Sequence, residues 1–348
     1  MNNNSDPQTL NSQTLFEQGL QRKNARKQLS ELLGDDVIKQ LQIRSNLMGW
    51  RAVLSCWVVI FGAMTAIAVV QNQPLWISIP VIVCALAIIG GRQLGLAILV
   101  HEASHRSLFK SARLNDSATQ WLCGYPILLH LGKYRKHHAQ HHTKTGSQED
   151  IDYSLIRHLP TTRRSLARKF TRDLLGITGL KNTYGLLLMH AGVLRWTVSA
   201  DVERLPVEGR RGIDIARQFA SEVWPTVLCN LALFLLATAV GHPELYLAWI
   251  VAYLIPYPLF MRIRSMAEHA MTEQVPDMLR NTRSTRAGWV ARALVAPYHV
   301  NYHIEHHALV SVPYWHLPKL HRLLQDKKLV PEPPGYWDVL KRVSSRVA

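Results

Sequence analysis

Residues 76–105 read WISIPVIVCALAIIGGRQLGLAILVHEASH, an apolar run of membrane-crossing length that ends on two histidines spaced H-x-x-x-H. A helix needs roughly 20 apolar residues to cross about 30 Å of hydrocarbon. Only Gly90-Gly91-Arg92-Gln93 interrupts this run, and three further uncharged runs lie at 52–70, 223–240 and 245–261. Any one of them could be a buried helix of a soluble enzyme. Arranged as two close pairs, joined by the short connectors 71–75 and 241–244, they read as two helical hairpins dipping into a bilayer.

The expected fold is all-α and integral to the membrane, with four transmembrane helices in two hairpins and a cytoplasmic helical cap. Residues 1–50 would form a cytoplasmic or interfacial segment. There Leu10, Phe16, Leu20, Leu29, Leu33, Ile38 and Leu41 suggest amphipathic helices on a membrane surface, with a soluble extension as the equal alternative. Residues 51–324 would be the membrane domain, and 325–348 a tail. The stretch 117–132 is apolar but short, and is expected to lie in the interface rather than to span.

Charge placement orients the hairpins. Apart from Arg92, every Lys and Arg falls within 1–51, 101–221 or 262–348, and the two connectors contain none. The positive-inside rule puts that side, with both termini, in the cytoplasm. Trp50, Trp76, Trp224 and Trp249 stand near run ends, where interfacial anchors belong. The net charge of +16 is then explained by anionic lipid, without nucleic acid.

Composition excludes several classes. With 48% hydrophobic and 18% charged residues in 348, the chain is neither disordered nor a purely nucleic-acid-binding basic protein. Its near-zero mean hydropathy excludes a bundle of ten or more spans. The polar opening does not read as a secretory signal. Cys56, Cys84, Cys123 and Cys229 show no Cys-x-x-Cys spacing, so neither a disulfide framework nor a thiolate metal site is indicated.

Histidine is the anomaly. Most of the 17 copies cluster, as His101-Glu-Ala-Ser-His105, as His137-His138-Ala-Gln-His141-His142, and as His303-Ile-Glu-His306-His307. On a helix, positions i, i+3 and i+4 share one face, so the boxes aim two, three and three imidazoles. Desolvated imidazoles need partners, which a metal supplies, and eight are too many for one ion. They suit two metals with open positions, without choosing among zinc, copper, nickel and iron. The lone His158, His190, His242, His316 and His321 read as solvated or packing residues. His101-Glu102-x-x-His105 also matches the H-E-x-x-H of a zinc metalloprotease, a reading that leaves the other boxes unexplained.

The ordered trio of boxes around two hairpins resembles the membrane fatty acid desaturase superfamily, bacterial acyl-lipid members in particular, from about Gly91 to Leu324. Arg264-Ser-Met-Ala-Glu268-His269, Asn281-Thr-Arg-Ser-Thr285 and Asn301-Tyr-His-Ile-Glu-His-His resemble it too. The resemblance implies that His101, His105, His138, His141, His142, His303, His306 and His307 hold two iron ions, with His269 as an additional ligand. His137 is an alternative to His138. Glu102 and Glu305 could orient ligands by accepting their second ring N–H, and Asp150 and Asp152 resemble acidic positions of similar role, ordinary solvated carboxylates being the alternative.

An alkyl C–H bond offers acid–base catalysis nothing to grip, and zinc has no redox chemistry. The resemblance implies O2-dependent removal of two hydrogens from a lipid acyl chain, with Fe2+ in the site and electrons from a separate ferredoxin or cytochrome-type donor. That donor could dock on Arg163, Arg164, Arg168 and Lys169, which equally suit a lipid surface. Arg92, about 13 Å before His101 along a helix, is an intramembrane charge and hence a candidate for a substrate headgroup; it could also pair near Glu102 or snorkel. Hydroxylation of a lipid and ketolation of a carotenoid share the boxes and remain alternatives. A metal transporter would place its ligands within the spans.

Overall fold

The computed structural model describes residues 27–206 and 208–347, so Leu10, Phe16 and Leu20 lie outside the described residues. Helix α1 (Asp35–Leu41) buries Ile38 and Leu41. The first hairpin follows, as α2 (Asn46–Val70) and α3 (Leu75–Ser104). Ser45 caps α2 by accepting from the Met48 N–H at 3.3 Å. The second hairpin pairs α8 (Gly212–Ala239) with a fourth apolar helix that breaks at Ile255, giving α9 (Leu245–Leu254) and α10 (Pro256–His269). Pro256 lacks the N–H that would continue α9 and serves instead to start α10. All four are long and apolar enough to cross a bilayer, and the chain is an integral membrane protein.

Between the hairpins lie α4 (Ala112–Thr119), α5 (Leu131–Lys144), α6 (Arg163–Leu174) and α7 (Ile177–His190). After them come α11 (Trp289–Leu294), α12 (His303–Ala308), α13 (Leu317–Asp326) and α14 (Tyr336–Val343). Among the described residues there is no strand beyond isolated bridges.

Helix α3 is the central post. It is buried almost continuously from Ile89 to Ser104. Two adjacent glycines permit that: a Cβ at Gly90 would meet Pro256 Cγ at 2.7 Å, and one at Gly91 would meet the Ala293 carbonyl at 2.6 Å. At 30 residues α3 rises about 45 Å, well beyond about 30 Å of hydrocarbon, and its far end carries the first histidine box. Lipid-facing surface is supplied by exposed apolar residues such as Leu54 and Val58 on α2 and Val227, Leu231 and Leu235 on α8.

The stretch 117–132 does not span as a helix; it is threaded among the membrane helices. After α4 the chain makes a π turn over Gln120–Gly124 and a 3-10 turn over Tyr125–Ile127, then turns left-handed at Leu128. Its carbonyls are taken by donors from three membrane helices: Trp57 Nε1 to Leu122 O at 2.9 Å, Asn230 Nδ2 to Pro126 O at 3.3 Å, and Tyr253 Oη to Ile127 O at 3.1 Å. Irregular backbone there is tolerable because protein donors replace water.

The segment beyond 324 is packed down as well. Val339 and Val343 of α14 are buried against Leu166 of α6 and Met266 and Ala270 of the α10 end.

Candidate metal centre

Four helices deliver the imidazoles. His101 lies in the last turn of α3 and His105 is its C-cap. Helix α5 has His138, His141 and His142 on its buried side, α12 has His303, His306 and His307, and His269 ends α10.

They form two adjoining groups. His101, His105, His138, His142 and His306 make the first, with donor atoms all within 4.8 Å of one another. His142 Nε2 lies 2.9 Å from His138 Nε2 and 3.1 Å from His306 Nε2. His141, His269 and His307 are drawn together in the second, and His303 joins them, its Nε2 being 2.8 Å from His269 Nε2. The His142 and His307 rings, 4.1 Å apart at their centroids, form the shared wall. His137 is turned elsewhere: its Nε2 lies 3.0 Å from Asp152 Oδ1, so α5 presents His138 and not His137 to the cluster.

The donor chemistry fits metal ions. Burial first, and neighbouring imidazoles second, hold His138, His142, His303 and His306 well below the usual histidine pKa, which leaves them neutral. A single Nε2–H cannot serve both neighbours of His142. His101 Nε2, in the same group, is buried with no hydrogen-bond partner among the described residues. Such groups are costly unless something binds them.

Carboxylates hold the outer faces. The His141 Nδ1–H donates to Asp150 Oδ1 at 2.8 Å, which aims Nε2 inward. Burial opposes charge on His141, but Asp150 outweighs it and raises its pKa. Asp152 serves His137 and stands 3.6 Å from His141 Nδ1. Glu102 Oε1 is 3.4 Å from His101 Nδ1, while its Oε2 accepts from Ser107 Oγ at 3.2 Å and from the Tyr314 N–H at 3.1 Å. Glu305 pairs with His321 at 2.7 Å and accepts from Ser284 Oγ at 2.5 Å. His321 is therefore a buried partner of the third box rather than a solvated residue. Arg92 Nη2 donates to Ala293 O at 2.6 Å and Arg292 O at 3.1 Å, capping the end of α11.

Sequence spacing assigned no role to 281–285, noted above for its resemblance alone; it is a strap. Asn281 Nδ2 donates to Thr145 O at the end of α5 (3.1 Å), and the Arg283 N–H to Glu268 O on α10 (2.8 Å). Thr285 and Asn301 exchange two bonds just before α12. Three ligand-bearing segments are thus tied by one loop. Tyr134, stacked on His138 with centroids 5.2 Å apart, was also unmarked by any motif.

Four apolar helices supporting a double histidine cluster define a membrane protein whose gathered imidazoles could hold metal ions. Residues 74–339 match the model of the fatty acid desaturase family, and the chain belongs to that family as a desaturase-like oxidoreductase. It is similar to dihydrorhizobitoxine desaturase of Bradyrhizobium elkanii, at 26% identity over 317 residues covering 89% of this chain and 80% of that one.

Proposed function

We propose that the protein is a di-iron, O2-dependent enzyme that introduces a double bond into a fatty acyl chain. The carrying observation is the pair of adjoining groups, five imidazoles and four, gathered from four helices into one buried cluster. When bound there, iron would supply the oxygen chemistry that an unactivated C–H bond requires. His101, His105, His138, His142 and His306 would hold one ion, and His141, His269, His303 and His307 the other.

The chain's own residues do the rest. Asp150 fixes the His141 tautomer, and Glu102 braces the first box against Ser107 and Tyr314. The strap 281–285 holds three ligand segments in register, because small misplacements are costly in rate. Electrons would come from a separate ferredoxin or cytochrome-type protein. The site would face the cytoplasm of a bacterial inner membrane. Against the protease alternative, His101 and His105 stand among five histidines, and Glu102 is occupied by Ser107 and Tyr314.

The relative is named for dihydrorhizobitoxine, which supports a second substrate reading. The test is expression of the chain and of His306→Ala in a host lacking it, followed by mass spectrometry of lipids and of supplied dihydrorhizobitoxine. A loss of two hydrogens in acyl chains, absent with the variant, is the expected result. A gain of one oxygen would replace desaturation by hydroxylation, and a change in dihydrorhizobitoxine alone would replace the lipid substrate.

A further inference from the structure

Glu268 belongs to no histidine box, yet its carboxylate sits at the second histidine group. It is 1% exposed, one residue before His269 at the end of α10. Its Oε1 accepts from Arg264 Nε at 2.8 Å. Its Oε2 lies 3.7 Å from His303 Nε2, the atom that meets His269 Nε2 at 2.8 Å. One donor atom each from Glu268, His269 and His303 thus falls within a sphere of metal-binding size, all within 4.8 Å of one another.

The other carboxylates around the centre behave differently. Asp150 takes the Nδ1 side of His141, the face turned away from the cluster. Glu102 is satisfied by Ser107 and a backbone N–H, and Glu305 by Ser284 and His321. Among these four, Glu268 reaches the inward Nε2 atoms. A brace for a ligand contacts its outer nitrogen; a ligand shares the space to which the inner nitrogens point.

We propose that Glu268 is itself a metal ligand, giving the second ion an oxygen donor beside His141, His269, His303 and His307. This inference rests on the two-metal reading given above. Arg264 pins Oε1 and leaves Oε2 as a single donor. The two sites are then unequal: the first is bound by neutral nitrogen alone, and the second by nitrogen plus one anionic oxygen, a harder donor suited to iron.

The test uses the purified full chain in lipid, loaded with Zn2+ or Fe2+, with metal content measured against protein and a zinc-loaded wild-type structure determined. Wild type should hold two ions. Glu268→Gln, which keeps the volume and an oxygen for Arg264, should weaken the second ion by more than the 10–100-fold typical of a residue that merely orients a ligand. Arg264→Met should retain both ions, since Arg264 is only a positioning residue. In the wild-type map, Oε2 should stand about 2.0–2.2 Å from an ion.

Two tightly bound ions in Glu268→Gln, or a wild-type Oε2 more than about 3 Å from any ion, would overturn this inference alone. If the variants aggregate, the wild-type map decides. Fewer than two ions in wild type would overturn the two-metal reading and this inference with it.

Discussion

His321 Nδ1 lies 2.7 Å from Glu305 Oε1, joining α13 to the middle of the third histidine box. Glu305 is fully buried, and Ser284 Oγ takes its other oxygen. The carboxylate is thus the peg between the strap, α12 and α13.

His321→Ala should remove one side of that peg and strand a buried carboxylate. Counted as the loss of one buried hydrogen-bond partner, about 1–3 kcal/mol, the expected outcome is a lower unfolding temperature together with reduced bound metal, read by thermal melt and metal analysis. A variant as stable and as metal-rich as wild type would remove His321 from the account.

Asp150→Asn replaces an acceptor that orients His141 with a group that can present a donor instead. Metal affinity should fall about 10–100-fold, with the fold retained. Competitive chelation of the loaded protein measures it, and an unchanged affinity would contradict the bracing role.

Acid should destabilise the metal-free protein. His138, His142, His303 and His306 are held well below 6.5 by burial and by one another. Below about 6.5 the unfolded chain takes up protons that these folded groups refuse, so stability falls as pH drops through that value and toward their folded pKa values. His141, raised by Asp150, works the other way but is one group against four. Melting temperature followed from about pH 8 to pH 5 should be flat at first and then decline below about 6.5; a rise on acidification would contradict it.

Asn230 donates to Pro126 O, and its oxygen accepts from Tyr246 Oη at 3.3 Å and Trp249 Nε1 at 3.2 Å. Asn230→Leu leaves those groups without a partner inside the membrane domain, at about 1–3 kcal/mol for an unsatisfied group. Faster proteolysis within 120–128 is the expected sign. Wild-type resistance would show that the buried turn does not depend on Asn230.

Arg92→Leu separates two roles. If the guanidinium meets a polar headgroup, turnover of polar-headed substrate falls while bound metal is unchanged. If it only caps the α11 carbonyls, the melting temperature drops and turnover per folded molecule stays the same.

Much of this architecture was legible beforehand. The runs 52–70 and 76–100 lie within α2 and α3, 223–240 ends one residue past α8, and 245–261 crosses the break between α9 and α10; His138, His141 and His142 all lie on the buried side of α5. His269 joined the cluster as the resemblance implied. The partition into five and four was not legible, because it depends on how α3, α5, α10 and α12 approach one another. Nor was the pairing of Glu305 with His321, since hydrogen bonds across sixteen residues leave no periodic trace. The anchoring of 120–127 was hidden for a similar reason: nothing in a short apolar stretch tells that distant Trp57, Asn230 and Tyr253 satisfy its carbonyls.

The length of α3 has one more consequence. His101 stands 26 residues beyond Leu75, about 39 Å along the axis, so an upright α3 that starts at the far edge of the oily layer would carry it about 9 Å clear of the near edge. On the acyl-chain reading proposed above, any tail to be unsaturated there would have to be hauled out of its solvent. Each methylene wetted on the way would cost about 0.8 kcal/mol, so the ascent has to be sheathed by greasy side chains from the layer's edge to the imidazoles.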